Sequence, residues 1–319
     1  MSEKMMQAIQ VRRYGGPEEL VLESIPRPQP GEGEVLVRVH AAGVLPIEWK
    51  VRQGLFKSVR PSTFPYIPGS AFSGIIAEVG PGVTAFNIGQ EVFGRSNNGA
   101  YAEYTIAEVE TLALKPEQIS FEEAATISGG ATVAWSALFE NADLQPGQRV
   151  LVHAAAGGVG LFAVQFAHWR GAQVIGTASA ANARFVSSLG ADIVIDYTRT
   201  PFEGLARNVD VVLDTMGGEV LERSMRVVKR GGILITLLGQ EPSQQETNRL
   251  GIRAMRNAPT FPFPSTSLLQ NIARLMATGQ IRTTIARTFP LSEASEAHAL
   301  SETGHGRGRI MLKALLDRA

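Results

Sequence analysis

A glycine-rich turn between a strand-like run and a helix-like run is the strongest chemical signal in the sequence. Residues 150–160 read VLVHAAAGGVG. In such a turn Gly157 lets the backbone approach a diphosphate, and Gly160 lets the helix pack closely on the strand. The helix N-terminus then offers free N–H groups and a positive dipole end to phosphates. Ala155 stands where the usual pattern has its first glycine, and a turn without a ligand is the alternative interpretation. The predicted phosphate contacts are Ala156, Gly157, Gly158 and Val159.

In such a unit, the residues at the end of the second strand determine whether the site prefers NAD or NADP. An NAD site places an acid there to bond the ribose 2′-hydroxyl. Residues 176–184 read GTASAANAR and contain no acid, and the next acid, Asp192, belongs to the following strand. Ser179, Arg184 and Tyr197 could donate to a 2′-phosphate, and a bond to such a charged group contributes about 1.5–3 kcal/mol. We therefore predict NADP(H) as the cofactor, although Arg184 is equally compatible with an ordinary solvated position.

The composition excludes several other chemistries. The chain has 319 residues and no cysteine, which rules out disulfides, thiolate metal ligands and cysteine nucleophiles. Thirty basic residues balance thirty acidic ones, so we expect no nucleic-acid partner. The histidines are scattered and are predicted to be structural or exposed, with no metal bound: they are His40, His153, His168, His298 and His305.

The composition also favours a cytoplasmic protein. The absence of cysteine fits a reducing compartment. No apolar signal region precedes the polar residues Gln10 to Arg13. The most apolar stretch, 150–169, contains two histidines, a glutamine and three glycines, so we predict no membrane span.

The surrounding patterns predict the elements that position the glycine turn. Residues 1 to about 125 are rich in alternating, strand-like segments. Helix-like and strand-like segments then alternate, which is typical of a parallel α/β sheet. We predict a mostly β domain at 1–125, completed by 264–319, and a doubly wound domain at 126–263. The predicted parallel strands are Arg149–His153, Gln173–Thr177, Asp192–Ile195, Asp210–Leu213 and Gly232–Leu237.

Several motifs together resemble one known family. They are AAGVLPIEWKVRQG at 41–54, PYIPGS at 65–70, GAYAEY at 99–104, the glycine turn, LGAD at 189–192 and DTMGG at 214–218. The chain resembles the zinc-less quinone oxidoreductase branch of the medium-chain dehydrogenase/reductase superfamily, the group that includes zeta-crystallin. The resemblance implies a GroES-like catalytic domain, a Rossmann domain, a small-molecule substrate in the cleft between them, and a homodimer. It also implies NADPH-dependent reduction of quinones or similar electron-poor molecules without zinc.

The chain departs from the family at positions that matter for chemistry. Zinc-dependent relatives bind their catalytic metal with two cysteines and a histidine. Here Leu45 lies near the first ligand position and Ser70 stands where the histidine would fall. The branch usually has Asn at Leu45, Asp at Glu48 and Asp at Ala71. The branch often has Tyr at position 56. Phe56 of this chain has no hydroxyl and therefore cannot donate a proton. We therefore expect a less polar cleft, suited to a flat apolar electron acceptor.

The resemblance assigns further site residues. Thr132, Leu237 and Leu238 should lie near the nicotinamide end of the cofactor. Lys50 is the candidate proton donor, with Glu48 as its neighbour. The two are two positions apart and so should not share a helix face. A surface charge pair, with solvent as the proton source, is the alternative. The candidate substrate pocket is Leu45, Trp49, Phe56, Tyr66, Phe261 and Phe263, with a place in the core as the alternative for each aromatic residue.

Two alternative functions stay open at this point. The first is reduction of the carbon–carbon double bond of an enone, an enal or an enoyl thioester, which needs a proton donor at carbon. The second is an NADPH-binding structural or regulatory protein with little turnover. If the chain dimerises, the outer strand near residues 252–255 offers one pairing edge.

Overall fold

The chain folds into two compact units. The structure is a computed structural model and describes residues 4–239, 241–257 and 264–314. The first unit contains the described residues 4–129, 264–279 and 283–314. The second contains 130–239, 241–257 and 280–282. The last part of the chain thus returns to the first unit after passing through the second.

The part of the chain before residue 130 is mostly strand, as its alternating pattern predicts. Leu45 precedes the first helix and Pro46 opens it, where a missing N–H costs nothing. The elements are β1 (Met5–Gln10), β2 (Val21–Pro26), β3 (Glu34–Val44), α1 (Pro46–Arg52), β4 (Ala71–Val79), β5 (Glu91–Arg95), β6 (Tyr104–Glu108), β7 (Leu112–Leu114) and α2 (Phe121–Ala125).

The middle of the chain alternates strands with helices. Its elements are α3 (Thr132–Trp135), β8 (Arg149–Val152), α4 (Gly160–Trp169), β9 (Gln173–Ala178), α5 (Ala183–Ser188), β10 (Ile193–Asp196), β11 (Val209–Asp214), α6 (Gly218–Met225), β12 (Val228–Thr236), α7 (Gln244–Leu250) and β13 (Arg253–Arg256). The last part has α8 (Thr266–Ala277), β14 (Ile285–Pro290), α9 (Ala294–Glu302) and β15 (Arg309–Lys313).

The first unit is organised around β3. Its main sheet has the order β14-β15-β3-β4-β5-β7, and β6 also pairs with β3. Strands β1 and β2 form a separate antiparallel pair. The buried faces of these strands form one apolar cluster, which includes Val37, Phe72, Val92 and Tyr101. Strand β15 reaches this sheet by pairing with β3, so the C-terminal segment completes the unit.

The second unit contains a parallel sheet of order β10-β9-β8-β11-β12-β13. This is the doubly wound order of dinucleotide-binding folds, whose ligand site lies where the order reverses, between β8 and β11. Helices cover such a sheet on both faces, which explains why its strands are nearly unbroken apolar runs. Leu151, Ile175, Val212 and Leu234 are all buried in its core. Strand β13, near the predicted residues 252–255, forms one edge of the sheet.

The segment 121–141, whose residues show a helix-like pattern, is helical but irregular. Helices α2 and α3 alternate with π-helical turns at Ile127–Ala131 and Ser136–Asn141. A π turn inserts an extra residue into the helical ladder. The pattern of apolar residues therefore predicted the helical character correctly and missed the interruptions. Among the residues described, no helix combines the length and apolar character needed to cross a membrane.

Candidate functional site

The glycine turn lies directly after β8, as predicted. The Ala155 N–H donates to the Thr177 carbonyl at 2.9 Å, and the Gly157 N–H donates to the Ala154 carbonyl at 2.9 Å. Helix α4 then begins at Gly160. A Cβ added to Gly160 would lie only 2.2 Å from the Ala154 carbonyl oxygen. The close packing of helix on turn therefore requires a glycine there, which confirms the role predicted for Gly160.

The missing first glycine has a structural explanation. The methyl group of Ala155 is fully buried. A Cβ added to Gly176, on the neighbouring strand β9, would lie 2.9 Å from that methyl carbon. The methyl group of Ala155 thus fits here because Gly176 has no side chain. Sequence reasoning could not connect the two residues, since only the pairing of β8 with β9 brings them together.

The residues at the turn fit the diphosphate of a dinucleotide. Helix α4 is ten residues long, and Val159 at its N-cap makes no side-chain capping bond. The amide groups that open the helix therefore lack a side-chain acceptor, and their dipole end favours an anion. Of the four predicted phosphate contacts, Gly157, Gly158 and Val159 are half-buried at this position and Ala156 is buried.

A buried histidine supports the turn from below. Nε2 of His153 lies 2.8 Å from Oγ of Ser224, and Nδ1 lies 3.1 Å from Oγ1 of Thr177. Since Ser224 Oγ already donates to the Val220 carbonyl, the ring proton is assigned to Nε2. Burial lowers the pKa of His153 to about 4. His153 is therefore a neutral structural residue, in agreement with the sequence interpretation.

Asp214 holds the strand ends beside the turn. Its carboxylate accepts hydrogen bonds from the Met216 and Gly217 N–H groups and from Thr236 Oγ1, at 2.8–3.1 Å. One side chain thus fixes the loops that follow β11 and β12. The sequence motif DTMGG contains this residue, and only its position at the sheet edge shows what it does.

The candidate donors for a 2′-phosphate lie at the ends of adjacent strands. Ala178 of β9 pairs with Asp196 of β10, so Ser179 and Tyr197 follow side by side. Tyr197 is exposed, and so is Arg184, on α5. The other predicted cofactor residues also belong to the second unit: Thr132 is buried at the start of α3, and Leu237 and Leu238 are half-buried after β12.

An acid lies nearer to this position than the sequence suggested. Asp196, rather than Asp192, is paired with Ala178, the last residue of β9. Its carboxylate accepts bonds from the N–H and hydroxyl of Thr198, which lower its pKa, and it lies 3.7 Å from the Arg199 guanidinium. The end of β9 itself contains no acid, as the sequence shows, but the pairing of β9 with β10 brings Asp196 beside it.

The first unit places Glu48 inside its core rather than at a surface. One carboxylate oxygen accepts from the Leu45 N–H at 2.9 Å and from the Tyr101 hydroxyl at 2.6 Å. The other accepts from the Ser70 N–H at 2.9 Å. Burial raises the pKa of Glu48, and these donors act in the opposite direction. The alternative interpretation of Glu48 as a surface charge is therefore wrong.

Lys50 forms no salt bridge with Glu48 among the described residues, as expected for residues two positions apart. Its ammonium lies 5.3 Å from the ring centroid of Trp49. Lys50 is half-buried, and this burial lowers its pKa. A lowered pKa makes the ammonium a better acid, so the chemistry predicted for Lys50 is compatible with its surroundings.

The remaining pocket candidates occupy different surroundings in the first unit. Leu45 is buried against Gly129, where an added Cβ would lie 2.6 Å from a Leu45 methyl carbon. Phe56 is half-buried in the turn after α1. Tyr66 packs on Phe64 and on the apolar core. The last two candidates, Phe261 and Phe263, lie outside the described residues.

The residues present do not fit the zinc site of metal-dependent relatives. Leu45 has no ligand atom, and the Ser70 hydroxyl accepts from Arg95 at 3.0 Å. Within the described ranges no group of three or more His, Cys, Asp and Glu residues could hold a metal ion. A tetrahedral zinc site needs nitrogen or sulfur ligands that converge.

Comparison with known proteins gives concordant matches. Residues 31–117 match the family model of the alcohol dehydrogenase GroES-like domain, and residues 189–312 match that of zinc-binding dehydrogenases. The chain is 33% identical to the quinone oxidoreductase of Mus musculus over 96% of each chain. It is 33% identical to an NADPH-dependent alkenal/one oxidoreductase of Arabidopsis thaliana, covering 97% of this chain and 80% of the relative.

A solved structure agrees with these matches. The quinone oxidoreductase of Coxiella burnetii superposes with a TM-score of 0.87 at 33% identity, covering 97% of this chain and 99% of that one. The predicted fold class, a GroES-like domain with a Rossmann domain, is confirmed. The chain therefore belongs to the medium-chain dehydrogenase/reductase superfamily, in its quinone oxidoreductase branch, and is an oxidoreductase.

Proposed function

We propose that this protein is an NADPH-dependent, zinc-independent reductase of quinones or similar electron-poor small molecules. The observation that carries the proposal is the turn at 153–160, whose uncapped helix amides suit a diphosphate. The bound nicotinamide supplies the hydride. The amides of Gly158 and Val159 bind the diphosphate and so hold the cofactor in one orientation.

The choice of NADPH over NADH rests on the ends of β9 and β10. Ser179 and Tyr197 follow these strands and are candidate donors, and Arg184, exposed at the start of α5, is a candidate donor with a positive charge. Asp196 opposes a 2′-phosphate, but its carboxylate is already bonded to Thr198 and lies near Arg199. The cationic and hydroxyl donors therefore outweigh one partly neutralised acid.

The substrate proposal rests on the apolar character of the first unit's candidate residues. Leu45 and Phe56 stand where the branch has polar side chains, and Trp49 lies between them in sequence, on α1. Apolar walls exclude water and favour a flat, uncharged acceptor. Relatives named as quinone oxidoreductases support the same class.

Comparing nucleotides on purified protein tests the cofactor proposal. We expect faster oxidation of NADPH than of NADH with a simple quinone. Arg184→Ala should raise the KM for NADPH about tenfold, the effect of one bond to a charged group, and leave the KM for NADH unchanged. Arg207→Ala, at an exposed position elsewhere in the unit, is the control. Equal rates with both nucleotides would refute NADPH preference.

A second candidate function is reduction of an enone or enal double bond. Lys50 favours it, since partial burial lowers the pKa of its ammonium, and this reaction needs a proton at carbon. A relative named for alkenal and enone reduction supports it. A substrate panel separates the two: Lys50→Met should slow enone turnover far more than quinone turnover. Tight NADPH binding with no turnover on any acceptor would instead indicate a structural or regulatory protein.

The quaternary structure and location are also proposals. We propose a homodimer in which the edge strand β13 is one pairing surface, since no described strand lies on its outer side in this sheet. We place the protein in the cytoplasm on the basis of its cysteine-free composition. Light scattering at several concentrations tests the first proposal.

A further inference from the structure

A chain of buried polar groups runs through the interior of the first unit. Arg52, Tyr101 and His298 are each completely buried, and Glu48 is 7% exposed. They come from α1, from the loop before β6 and from α9. Polar groups at such depth are costly unless each finds a partner, so their arrangement is tightly specified.

The hydrogen bonds that link these buried side chains all run in one direction, from Arg52 toward Glu48. The Arg52 guanidinium donates to the Gly15 carbonyl at 2.9 Å, pairs with Glu302, and donates through Nε to Nδ1 of His298 at 3.4 Å. Because arginine has no acceptor, the His298 proton is assigned to Nε2, which lies 3.1 Å from the Tyr101 oxygen. The hydroxyl of Tyr101 then donates to Glu48 at 2.6 Å.

Glu48 ends this chain and joins two separate segments. It accepts from the N–H of Leu45, before α1, and from the N–H of Ser70, before β4. Gly69, with φ +90°, packs so closely that a Cβ there would lie 2.3 Å from the Tyr101 ring. Tyr101 therefore touches the Ser70 segment directly and holds it through Glu48 as well.

The charges around Glu48 are compatible with an ionised carboxylate. Arg95 donates to Ser70 Oγ, which lies 3.4 Å from Glu48. Buried Arg309 also interacts electrostatically with Glu48. The two neighbouring guanidinium groups and three close donors favour the anion. The carboxylate is thus a fixed anchor for the two segments.

We propose that Tyr101 and His298 are positioning residues for the reductase reaction, which act by holding Glu48 against the Leu45 and Ser70 segments. This inference rests on the proposed function. Leu45 is a candidate wall of the substrate pocket, and Ser70 stands where zinc-dependent relatives have a ligand beside the reacting atoms. Hydride transfer depends steeply on geometry, and a displacement of about 1 Å can cost a hundredfold in rate. An anchor outside the pocket can therefore set turnover.

Tyr101→Phe tests this role, because it keeps the packed ring and removes only the hydroxyl. We expect kcat with a quinone to fall about tenfold, with the KM for NADPH unchanged, since one bond to a charged group is lost. Hydrogen exchange at the Leu45 and Ser70 amides should become faster. His298→Gln should cause a smaller fall in kcat and a smaller rise in amide exchange. It provides the test if Tyr101→Phe fails to fold.

Ser73→Ala is the matched control. It removes another fully buried hydroxyl of the first unit, which donates to the Phe121 carbonyl at 2.6 Å and takes no part in the Glu48 chain. A Tyr101→Phe enzyme whose kcat and amide exchange match those of this control overturns the inference. A wild-type enzyme inactive on every acceptor refutes the proposed function instead, and the amide exchange then still shows whether Tyr101 anchors the two segments.

Discussion

The glycine turn of the second unit and the Glu48 chain of the first unit are built from different materials. The turn presents uncapped backbone amides and is supported by a neutral histidine, His153, bonded to two hydroxyl groups. The Glu48 chain is made of charged and polar side chains from distant segments. A site made of backbone needs only local sequence, whereas a site made of buried charge needs the whole tertiary fold to hold it.

The largest effect is expected from a substitution that disrupts the backbone site. Gly160→Ala places a Cβ against the Ala154 carbonyl, so α4 must move away from the turn. We expect the free energy of unfolding to fall by about 3 kcal/mol and NADPH binding to weaken more than tenfold. Urea unfolding and nucleotide titration measure these. Gly204→Ala, where an added Cβ meets nothing within 4 Å, should change neither. Unaltered nucleotide affinity in Gly160→Ala would contradict the binding role of the turn.

One buried histidine in each region should make the free energy of unfolding depend on pH in the acid range. Burial lowers the pKa of His153 to about 4 and that of His298 to about 3. The folded state therefore binds these protons less readily than the unfolded state, whose histidines titrate near about 6.5. Both contributions to stability are complete above that pH and are lost as pH falls toward the folded values, at up to about 1.4 kcal/mol per pH unit for each residue.

Urea midpoints between pH 7.5 and 5 measure this loss. His153→Asn and His298→Asn should each make the pH dependence shallower, since each removes one buried titrating group. His305→Asn, at an exposed position, is the control. If either buried substitution leaves the slope intact, that histidine does not contribute to acid sensitivity.

The smallest expected effect concerns backbone strain in the turn. Ala154 has φ +47°, in the left-handed region that disfavours any residue with a Cβ. Ala154→Gly relieves this strain, and the greater freedom of glycine in the unfolded chain offsets part of the gain. We expect a net stabilisation of at most about 1 kcal/mol, measured by urea unfolding. A clear loss of stability would show that the Ala154 methyl group makes packing contacts that outweigh the strain.

The accuracy of the sequence predictions follows the same division. The strands β8 to β11 were placed within two residues because each is a continuous apolar run bounded by turn residues. The absence of a salt bridge between Lys50 and Glu48, among the described residues, followed from helix geometry alone. The π-helical turns in 121–141 were missed, since they leave the apolar spacing nearly unchanged. The acid at the end of β10 was missed because it reaches Ala178 through strand pairing rather than spacing.

The sequence by itself determined the glycine turn, the parallel α/β pattern, the absence of thiol chemistry and the family. These depend on neighbouring residues and on composition, which are visible without coordinates. Only the tertiary structure decided that Gly176 accommodates Ala155, that Asp196 lies beside the end of β9, and that Glu48 accepts from Tyr101, whose hydroxyl lies against His298. Each of these depends on contacts between residues 18 to about 200 positions apart, whose partners are chosen by burial and strand register rather than by local pattern.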